Sequence, residues 1–171
     1  MVQFLLLQPP IGKRMVSVTP ALGLPYLAAI LEKRGKPWVL PAVEVLLGNA
    51  PEDRPIFTYS AKWEDDTEEF KNVIVKLADL DQETVNKIED YAKVAYINMG
   101  GRDYPRLDIR LRGKEIFVLE LNNNPEIDFT FQGGLRMAVT SVGMDYLKFL
   151  EQVVENAIYR HSARRYETVR V

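Results

Sequence analysis

The chain has 171 residues, 47% of them hydrophobic and 27% charged, which is the composition of a globular domain large enough to bury a core. Its formal net charge of −2 is near neutral, so bulk electrostatics give no reason to expect a nucleic-acid partner. The absence of cysteine excludes disulfides, iron–sulfur clusters and thiolate metal sites, and it favours a cytoplasmic location. No apolar run has the length of a signal-peptide core or a membrane span, so no membrane partner is expected.

The front of the chain predicts a strand, a loop and a helix. Residues 2–7 form an apolar run closed by two prolines, a pattern that indicates a buried strand. Residues 23–35 carry Pro25 near their start and Gly35 at their end, the order that favours a helix. A strand is predicted next, at residues 38–40, so this segment has the pattern of the beginning of a βαβ unit.

The stretches LLLQPPIGKR and PALGLPYLAAILEKRG, within residues 1–35, resemble the opening of the cobalamin-binding domain of many radical SAM enzymes. That domain's cobalamin-ligating histidine motif has no counterpart, because the only histidine of the chain is His161. The cysteine triad of the radical enzymes is absent as well. We therefore interpret residues 1–35 as a βα fragment without its cofactor, which disfavours a corrinoid-binding module.

The middle of the chain predicts two strands followed by two helices. Residues 40–47 and 56–59 have strand-like apolar runs separated by a polar loop. A helix is predicted to begin at Thr67, where acidic residues suit the positive end of the helix dipole, and to end within residues 77–80. A second helix is predicted over residues 82–99, where apolar residues recur at helical spacing before a glycine pair.

Residues 104–125, YPRLDIRLRGKEIFVLELNNNP, predict a β-hairpin. Leu107, Ile109 and Leu111 alternate with polar residues at a period of two, as in a half-buried strand. A turn is indicated at residues 112–114, and the second strand is predicted over residues 116–122. Alternation in that strand predicts one face with Phe117, Leu119 and Leu121, and another with Ile116, Val118, Glu120 and Asn122.

The pairing register decides whether the polar side chains of this hairpin meet. If opposed residue numbers have an even sum, with Leu111 opposite Glu115, then Arg106 faces Glu120. Asp108 then lies diagonally beside Glu120, ~7–8 Å away at the backbone. A slip of one residue would place Asp108 on the opposite face.

Two carboxylates on one sheet face repel each other unless a cation lies between them. The cation is Arg106, a divalent metal, or both, and Asn122 adds a neutral oxygen one pleat further on. Such an all-oxygen set suits magnesium. A solvated salt-bridge ladder is the alternative. Against it stands the run NNNP at residues 122–125, because four consecutive residues of low β-propensity are more than a turn requires.

Behind the hairpin, the sequence predicts two more helices. Gly133 and Gly134 begin a short one, and Gly143 separates it from a long helix at residues 145–160. His161 is interpreted as a solvated residue at the end of that helix. Residues 161–171 are predicted to be a tail.

The pattern RLD at residues 106–108, followed by ELNNNP at residues 120–125, resembles the metal-binding hairpin of ATP-grasp ligases similar to D-alanine–D-alanine ligase. The resemblance extends to residues 40–45, to YSAKW at residues 59–63, and to residues 142–146 and the final helix. It implies that Asp108, Glu120 and Asn122 bind Mg²⁺ that bridges the phosphates of ATP. It also implies that Arg106 stabilises the transferring phosphoryl group or the tetrahedral intermediate, and that Lys62 contacts phosphate.

The chain departs from that family in two respects. An ATP-grasp site is a clamp of two sub-domains, and residues 1–35 are too few to supply the second one, so we expect a truncated half. The sequence leaves open whether a partner chain completes the clamp or the chain is a remnant. The segment EIDF at residues 126–129 has acidic residues where such ligases have glycine and later serine. Acidic residues repel a substrate carboxylate and attract an amine, which disfavours D-alanine as the substrate.

The sequence therefore predicts an α+β fold, with an antiparallel sheet centred on the hairpin and helices packed on one of its faces. The βα fragment occupies residues 1–35, an ATP-grasp carboxyl-terminal subdomain residues 36–160, and the tail residues 161–171. The leading function is the ATP- and magnesium-binding half of a ligase that joins a small carboxylate to an amine. A non-catalytic fold remnant, or a metal- or nucleotide-binding interaction module, is the alternative.

Overall fold

The computed structural model describes residues 25–48, 58–130 and 133–167, with side chains for 26–48, 58–130 and 133–163. The predicted strand at residues 2–7 lies outside this part of the chain. The described elements, in chain order, are β1 (Pro25–Lys33), β2 (Lys36–Val39), β3 (Val43–Leu47), α1 (Tyr59–Trp63), α2 (Glu68–Lys71), β4 (Val73–Leu77), α3 (Gln82–Asn98), β5 (Arg106–Arg112), β6 (Glu115–Asn122), α4 (Gly134–Ser141) and α5 (Tyr146–Glu167). None of the described helices is long and apolar enough to cross a membrane.

The strands form one antiparallel sheet in the order β4-β3-β1-β5-β6, and β2 also pairs with β1. Strands β2 and β3 share one edge of β1, because the chain bends between them at Leu40, whose N–H donates to the carbonyl of Ala29 at 2.8 Å. The predicted α+β class with an antiparallel sheet is confirmed. The prediction that the hairpin lies at the centre of the sheet is wrong, because β1 is the middle strand and the hairpin strands β5 and β6 form one side of the sheet.

Helices cover both faces of the sheet, so the prediction of helices on one face is wrong. Helix α3 packs on one face, and α4 and α5 pack on the other. The reason lies in β1, whose alternate residues Ala28 and Ile30 enter one core while Ala29 and Leu31 enter the second. A strand with apolar side chains on both faces is stable only when both are covered.

The helix predicted over residues 23–35 is wrong where the structure describes it. Pro25–Lys33 is a strand, and Arg34 and Gly35 form a tight turn with φ of 50° and 78°. An apolar run between proline and glycine suits a buried strand as well as a helix, because local periodicity does not separate the two. Ladder pairing along both edges of β1 favours the strand.

Other boundaries also differ from the predictions. The helix after Thr67 ends at Lys71, and the strand β4 that follows it was not predicted. Tyr59, predicted to end a strand, begins α1, while residues 56–57 lie outside the described part. Helix α5 continues to Glu167, so part of the predicted tail is helical. The predicted starts of α3 and α4 are confirmed.

A buried carboxylate joins β1 to its surroundings. Glu32 is 2% exposed, and its Oε2 accepts from the Tyr96 hydroxyl at 2.7 Å, the Asp103 N–H at 3.0 Å and Arg160 Nη1 at 3.1 Å. Burial alone would raise the pKa of Glu32. The hydrogen bonds and the charge of Arg160 outweigh burial and lower that pKa below its ordinary value.

Because the pKa of Glu32 is lowered in the folded state, its ionised form contributes stability that is lost as the pH falls from 4.5 through the lowered value. We expect Glu32→Gln to lower the free energy of unfolding near neutral pH by about 2 kcal/mol. The difference in the free energy of unfolding between the two proteins should become smaller as the pH falls. Urea unfolding of both proteins across this range measures it, and a pH-independent difference would contradict a contribution from the charge.

Candidate functional site

The register of the β5–β6 hairpin changes at one point. Near the turn, Arg112 pairs with Glu115 and Ile109 pairs with Val118. Beyond a register shift between Asp108 and Ile109, Asp108 pairs with Glu120 and Arg106 with Asn122. Leu119 is the extra residue of this β-bulge, and it is 40% exposed.

The bulge changes how the predicted register is achieved. Near the turn, the predicted pairing of Leu111 with Glu115 is wrong, because the two-residue turn at Gly113 and Lys114 places Ile116 opposite Leu111. An uninterrupted ladder of that register would pair Glu120 with Leu107, a fully buried core residue. The bulge instead brings Glu120 directly opposite Asp108, nearer than the diagonal position that was predicted.

The same bulge corrects the predicted faces of β6. The core side chains are those of Val118 and Leu121, which are 5% and 9% exposed, whereas Leu119 points to solvent. Arg106, Asp108, Glu120 and Asn122 are therefore paired side by side, away from the α3 core. The roles predicted for these four residues remain predictions.

The polar face of the hairpin adjoins β1 and the first turn of α4. Asp108 pairs with Leu27 of β1, and Arg106 pairs with Ala29. Gly134 at the start of α4 lies so close to Leu27 that a Cβ there would be 2.7 Å from Leu27 Cδ1. The backbone of α4 therefore approaches the sheet next to Asp108, and only glycine permits this approach without a shift.

Arg106 donates two parallel hydrogen bonds to Asp108. The Nε–Oδ1 distance is 2.6 Å, the Nη2–Oδ2 distance is 2.9 Å, and both side chains are 20% exposed. Burial alone would lower the pKa of Arg106, but the bonds to Asp108 and the charges of Asp108, Glu120 and Glu126 raise it. Arg106 is therefore held as a cation among three carboxylates.

The polar run after β6 is ordered by side-chain hydrogen bonds. The Oδ1 atom of Asn122 accepts from the Asn124 N–H at 3.0 Å. The Oδ1 atom of Asn124 in turn accepts from the Tyr104 hydroxyl at 3.2 Å. Tyr104 was not among the predicted site residues, because an aromatic residue before a strand carries no sequence signal for such a contact.

The donor set fits a hard divalent cation in its chemistry. No group of three or more His, Cys, Asp and Glu residues that could hold a metal occurs in the described ranges, so a metal here would need the amide oxygen of Asn122 beside Asp108 and Glu120. Both Asp108 oxygens already accept from Arg106. A carboxylate has about four lone-pair positions, so Asp108 can serve a cation and Arg106 together.

Lys62 lies on α1. A hydrogen bond joins α1 to the start of α2, because the hydroxyl of Thr67, the N-cap of α2, donates to the carbonyl of Ser60 at 3.4 Å. The Lys62 ammonium is 5.3 Å from the ring centre of Trp63. In the described part of the chain, no hydrogen bond or ion pair joins it to the hairpin. Its predicted contact with phosphate therefore remains a prediction.

The acidic segment after Pro125 borders an open pocket of about 700 Å³, lined by Glu126, Ile127, Asp128, Phe129, Thr130 and Tyr146. Ile127 and Phe129 pack into the α4–α5 core, so the alternate residues Glu126 and Asp128 remain exposed. Hydrogen bonds from Thr130 lower the pKa of Asp128. Glu126 influences Arg106 electrostatically, so this segment lies near the hairpin face.

Comparison with known proteins agrees with this architecture. The family model described as D-ala D-ala ligase C-terminus matches residues 27–155. A D-alanine–D-alanine ligase of Enterococcus hirae is 29% identical over 121 residues, covering 70% of this chain and 32% of that protein. The D-alanine–D-alanine ligase structure of Coxiella burnetii has a TM-score of 0.64 at 18% identity, covering 86% of this chain and 35% of the other. That of Bacillus anthracis, complexed with ATP, has a TM-score of 0.59 at 18% identity, covering 82% and 40%.

These matches differ in what they establish. At 18% identity, the solved structures show a shared fold. The chain spans about a third of the length of the curated relatives that it matches. The family match covers more than half of the chain and includes the hairpin. The chain therefore belongs to the family of D-alanine–D-alanine ligase carboxyl-terminal domains, within the ATP-grasp ligases.

Proposed function

We propose that this chain is the ATP- and magnesium-binding half of an ATP-grasp ligase that joins a carboxylate to an amine. The observation that carries the proposal is the pairing of Asp108 with Glu120 and of Arg106 with Asn122 on one hairpin, two rungs apart and separated by the pair Leu107–Leu121. This arrangement depends on a bulge that a purely structural ladder does not need. It concentrates oxygen donors and one cation at the edge of the sheet, beside the start of α4.

In this proposal, Asp108, Glu120 and Asn122 hold the metal. Bound magnesium would offset the negative charge of the ATP phosphates. Arg106 is a permanent cation near neutral pH, and Asp108 fixes its orientation through two N–H groups. Among the described residues, the Arg106 guanidinium donates only to Asp108, through Nε and Nη2. In the proposal its other N–H groups would donate to a phosphoryl oxygen or an oxyanion, because a preoriented donor stabilises developing charge without reorganising.

The proposal also assigns contacts outside the hairpin. Lys62 is assigned to phosphate because of its place in the YSAKW stretch of α1. The acceptor would be an amine that carries no carboxylate, rather than a second amino acid, since Glu126 and Asp128 give the adjoining pocket a negative charge. A partner chain or further domain would supply the other half of the nucleotide clamp. The cytoplasmic location and the lack of nucleic-acid and membrane partners also remain predictions.

Magnesium should stabilise the parent protein if the site binds it. The native state gains ~1.4 kcal/mol when free Mg²⁺ is about tenfold above its dissociation constant. For a protein of this size the melting temperature should rise by about 4 °C. Melting curves with and without magnesium and ATP, with calorimetric titration of the same ligands, measure the effect. The absence of any shift or heat would favour the salt-bridge ladder over the metal site.

Asp108→Asn should act in two separable ways. Without metal it should lower the free energy of unfolding by about 1–2 kcal/mol, because it breaks the half-buried pair with Arg106. With magnesium it should also lose most of the rise in melting temperature.

Glu115→Gln is the matched control, because Glu115 pairs with Arg112 on the same hairpin but is 65% exposed. It should change stability by less than about 0.5 kcal/mol and keep the magnesium response. A full magnesium response in Asp108→Asn would remove Asp108 from the metal site.

The 171-residue chain by itself should turn over ATP negligibly, even if it binds ATP and magnesium. Catalysis of phosphoryl transfer depends on positioning of ATP by both halves of the clamp. ATP held by one half alone lacks this positioning. Phosphate release from ATP in the presence of magnesium and candidate amines measures this. Rapid ligation by the pure chain would contradict the prediction.

A further inference from the structure

Helix α5 contacts the loop that leads into β5, although the proposed chemistry assigns it no role. Arg160 donates to both carboxylate oxygens of Asp103, at 2.7 Å from Nη1 and 3.0 Å from Nη2. The same Nη1 donates to Oε2 of Glu32 at 3.1 Å. Two carboxylates from distant parts of the chain thus share one guanidinium.

The backbone at Asp103 is in the left-handed region, with φ of 61°. A residue other than glycine there costs about 1 kcal/mol, so surrounding contacts must hold the conformation. Two hydrogen bonds of the Asp103 backbone hold it: the Asp103 N–H donates to Glu32 Oε2 at 3.0 Å, and the Asp103 carbonyl accepts from the Glu32 N–H at 2.6 Å. Arg160 holds the Asp103 side chain through two more hydrogen bonds.

Helix α5 makes a second contact with the end of β1, one helical turn before Arg160. Asn156 is fully buried, and its Nδ2 donates to the Glu32 carbonyl at 2.7 Å. Its Oδ1 accepts from the Arg34 N–H at 3.2 Å. Asn156 therefore holds the end of β1 independently of Arg160, so a change at Arg160 need not detach the helix.

The residue after Asp103 reaches the candidate site. The ring of Tyr104 packs edge-on against Phe149 of α5, with centroids 5.5 Å apart. Its hydroxyl donates to Asn124 Oδ1 at 3.2 Å, and the Asn124 N–H donates to Asn122 Oδ1 at 3.0 Å. Two residues beyond Tyr104 lies Arg106, the first residue of β5.

We propose that Arg160 is a positioning residue for the hairpin site: it holds the Asp103 turn, which directs Tyr104 onto Asn124 and thereby sets the orientation of Asn122. This inference rests on the proposed function for its consequence, the affinity for magnesium with ATP. Its structural core, the coupling from Arg160 to the two asparagines, stands without any ligand.

Three variants test the coupling. Arg160→Lys keeps the charge but loses the two-pronged contact with Asp103, and Tyr104→Phe removes only the hydroxyl that reaches Asn124. Arg112→Lys is the matched control, because Arg112 also makes two hydrogen bonds to one carboxylate, that of Glu115, at the turn end of the same hairpin.

The first measurement is the side-chain amide spectrum of Asn122 and Asn124 by NMR, without ligand. Arg160→Lys should shift the same asparagine signals as Tyr104→Phe, whereas Arg112→Lys should leave them unchanged. Parent-like asparagine signals in folded Arg160→Lys would overturn the inference. This result does not depend on whether the parent binds metal, so it separates the inference from the proposed function.

The second measurement is the dissociation constant of magnesium with ATP by calorimetry. Arg160→Lys and Tyr104→Phe should each weaken binding about three- to tenfold, somewhat less than the loss of a direct partner of a metal ligand. The double variant should bind no more weakly than Tyr104→Phe alone, because both changes interrupt one chain of contacts. Additive losses, or unchanged affinity in a merely less stable Arg160→Lys, would show that Arg160 is structural only.

Discussion

The carboxylate of Glu32 is the interaction on which the arrangement of this protein depends. It stands at the end of β1 and joins that strand to α3 through Tyr96, to the loop before β5 through Asp103, and to α5 through Arg160. A buried carboxylate is costly unless every lone pair finds a donor. Here Gly35 supplies a further N–H to the second oxygen at 3.2 Å. Because these partners come from four separate segments, the carboxylate is satisfied only when those segments are assembled.

The bulge at Leu119 reconciles two different pairing registers, that set by the turn and that needed at the candidate site. A two-residue turn at Gly113 and Lys114 favours a tight hairpin, but its register would place Glu120 in the core. One extra residue in β6 lets the apolar side chains near the turn face the core, while the polar pairs beyond it face away from the α3 core. Bulges often occur beside functional sites, where they direct a side chain, and this one directs Glu120 toward Asp108.

Charge is arranged unevenly on the polar face of the hairpin. Three carboxylates act on Arg106, yet only Asp108 contacts it with both oxygens. In the proposed function, this surplus of negative charge would favour a further cation, and the two hydrogen bonds from Arg106 would hold Asp108 in place beside it. The pairing of Arg106 with Asp108 and binding of a metal are therefore compatible features of one site.

The sequence by itself determined the hairpin, the helix α3 and the antiparallel α+β class, and it proposed the residues of the candidate site. These follow from local alternation, helical spacing, glycine punctuation and the order of RLD and ELNNNP along the chain. It did not reveal that Pro25–Lys33 is a central strand, that helices cover both faces, or that Leu119 is a bulge. The network around Glu32 was also hidden, since its members lie up to 128 residues apart. Only the tertiary structure decided these features, because strand pairing on both edges and the sharing of buried charge are interactions between distant segments, which local patterns do not encode.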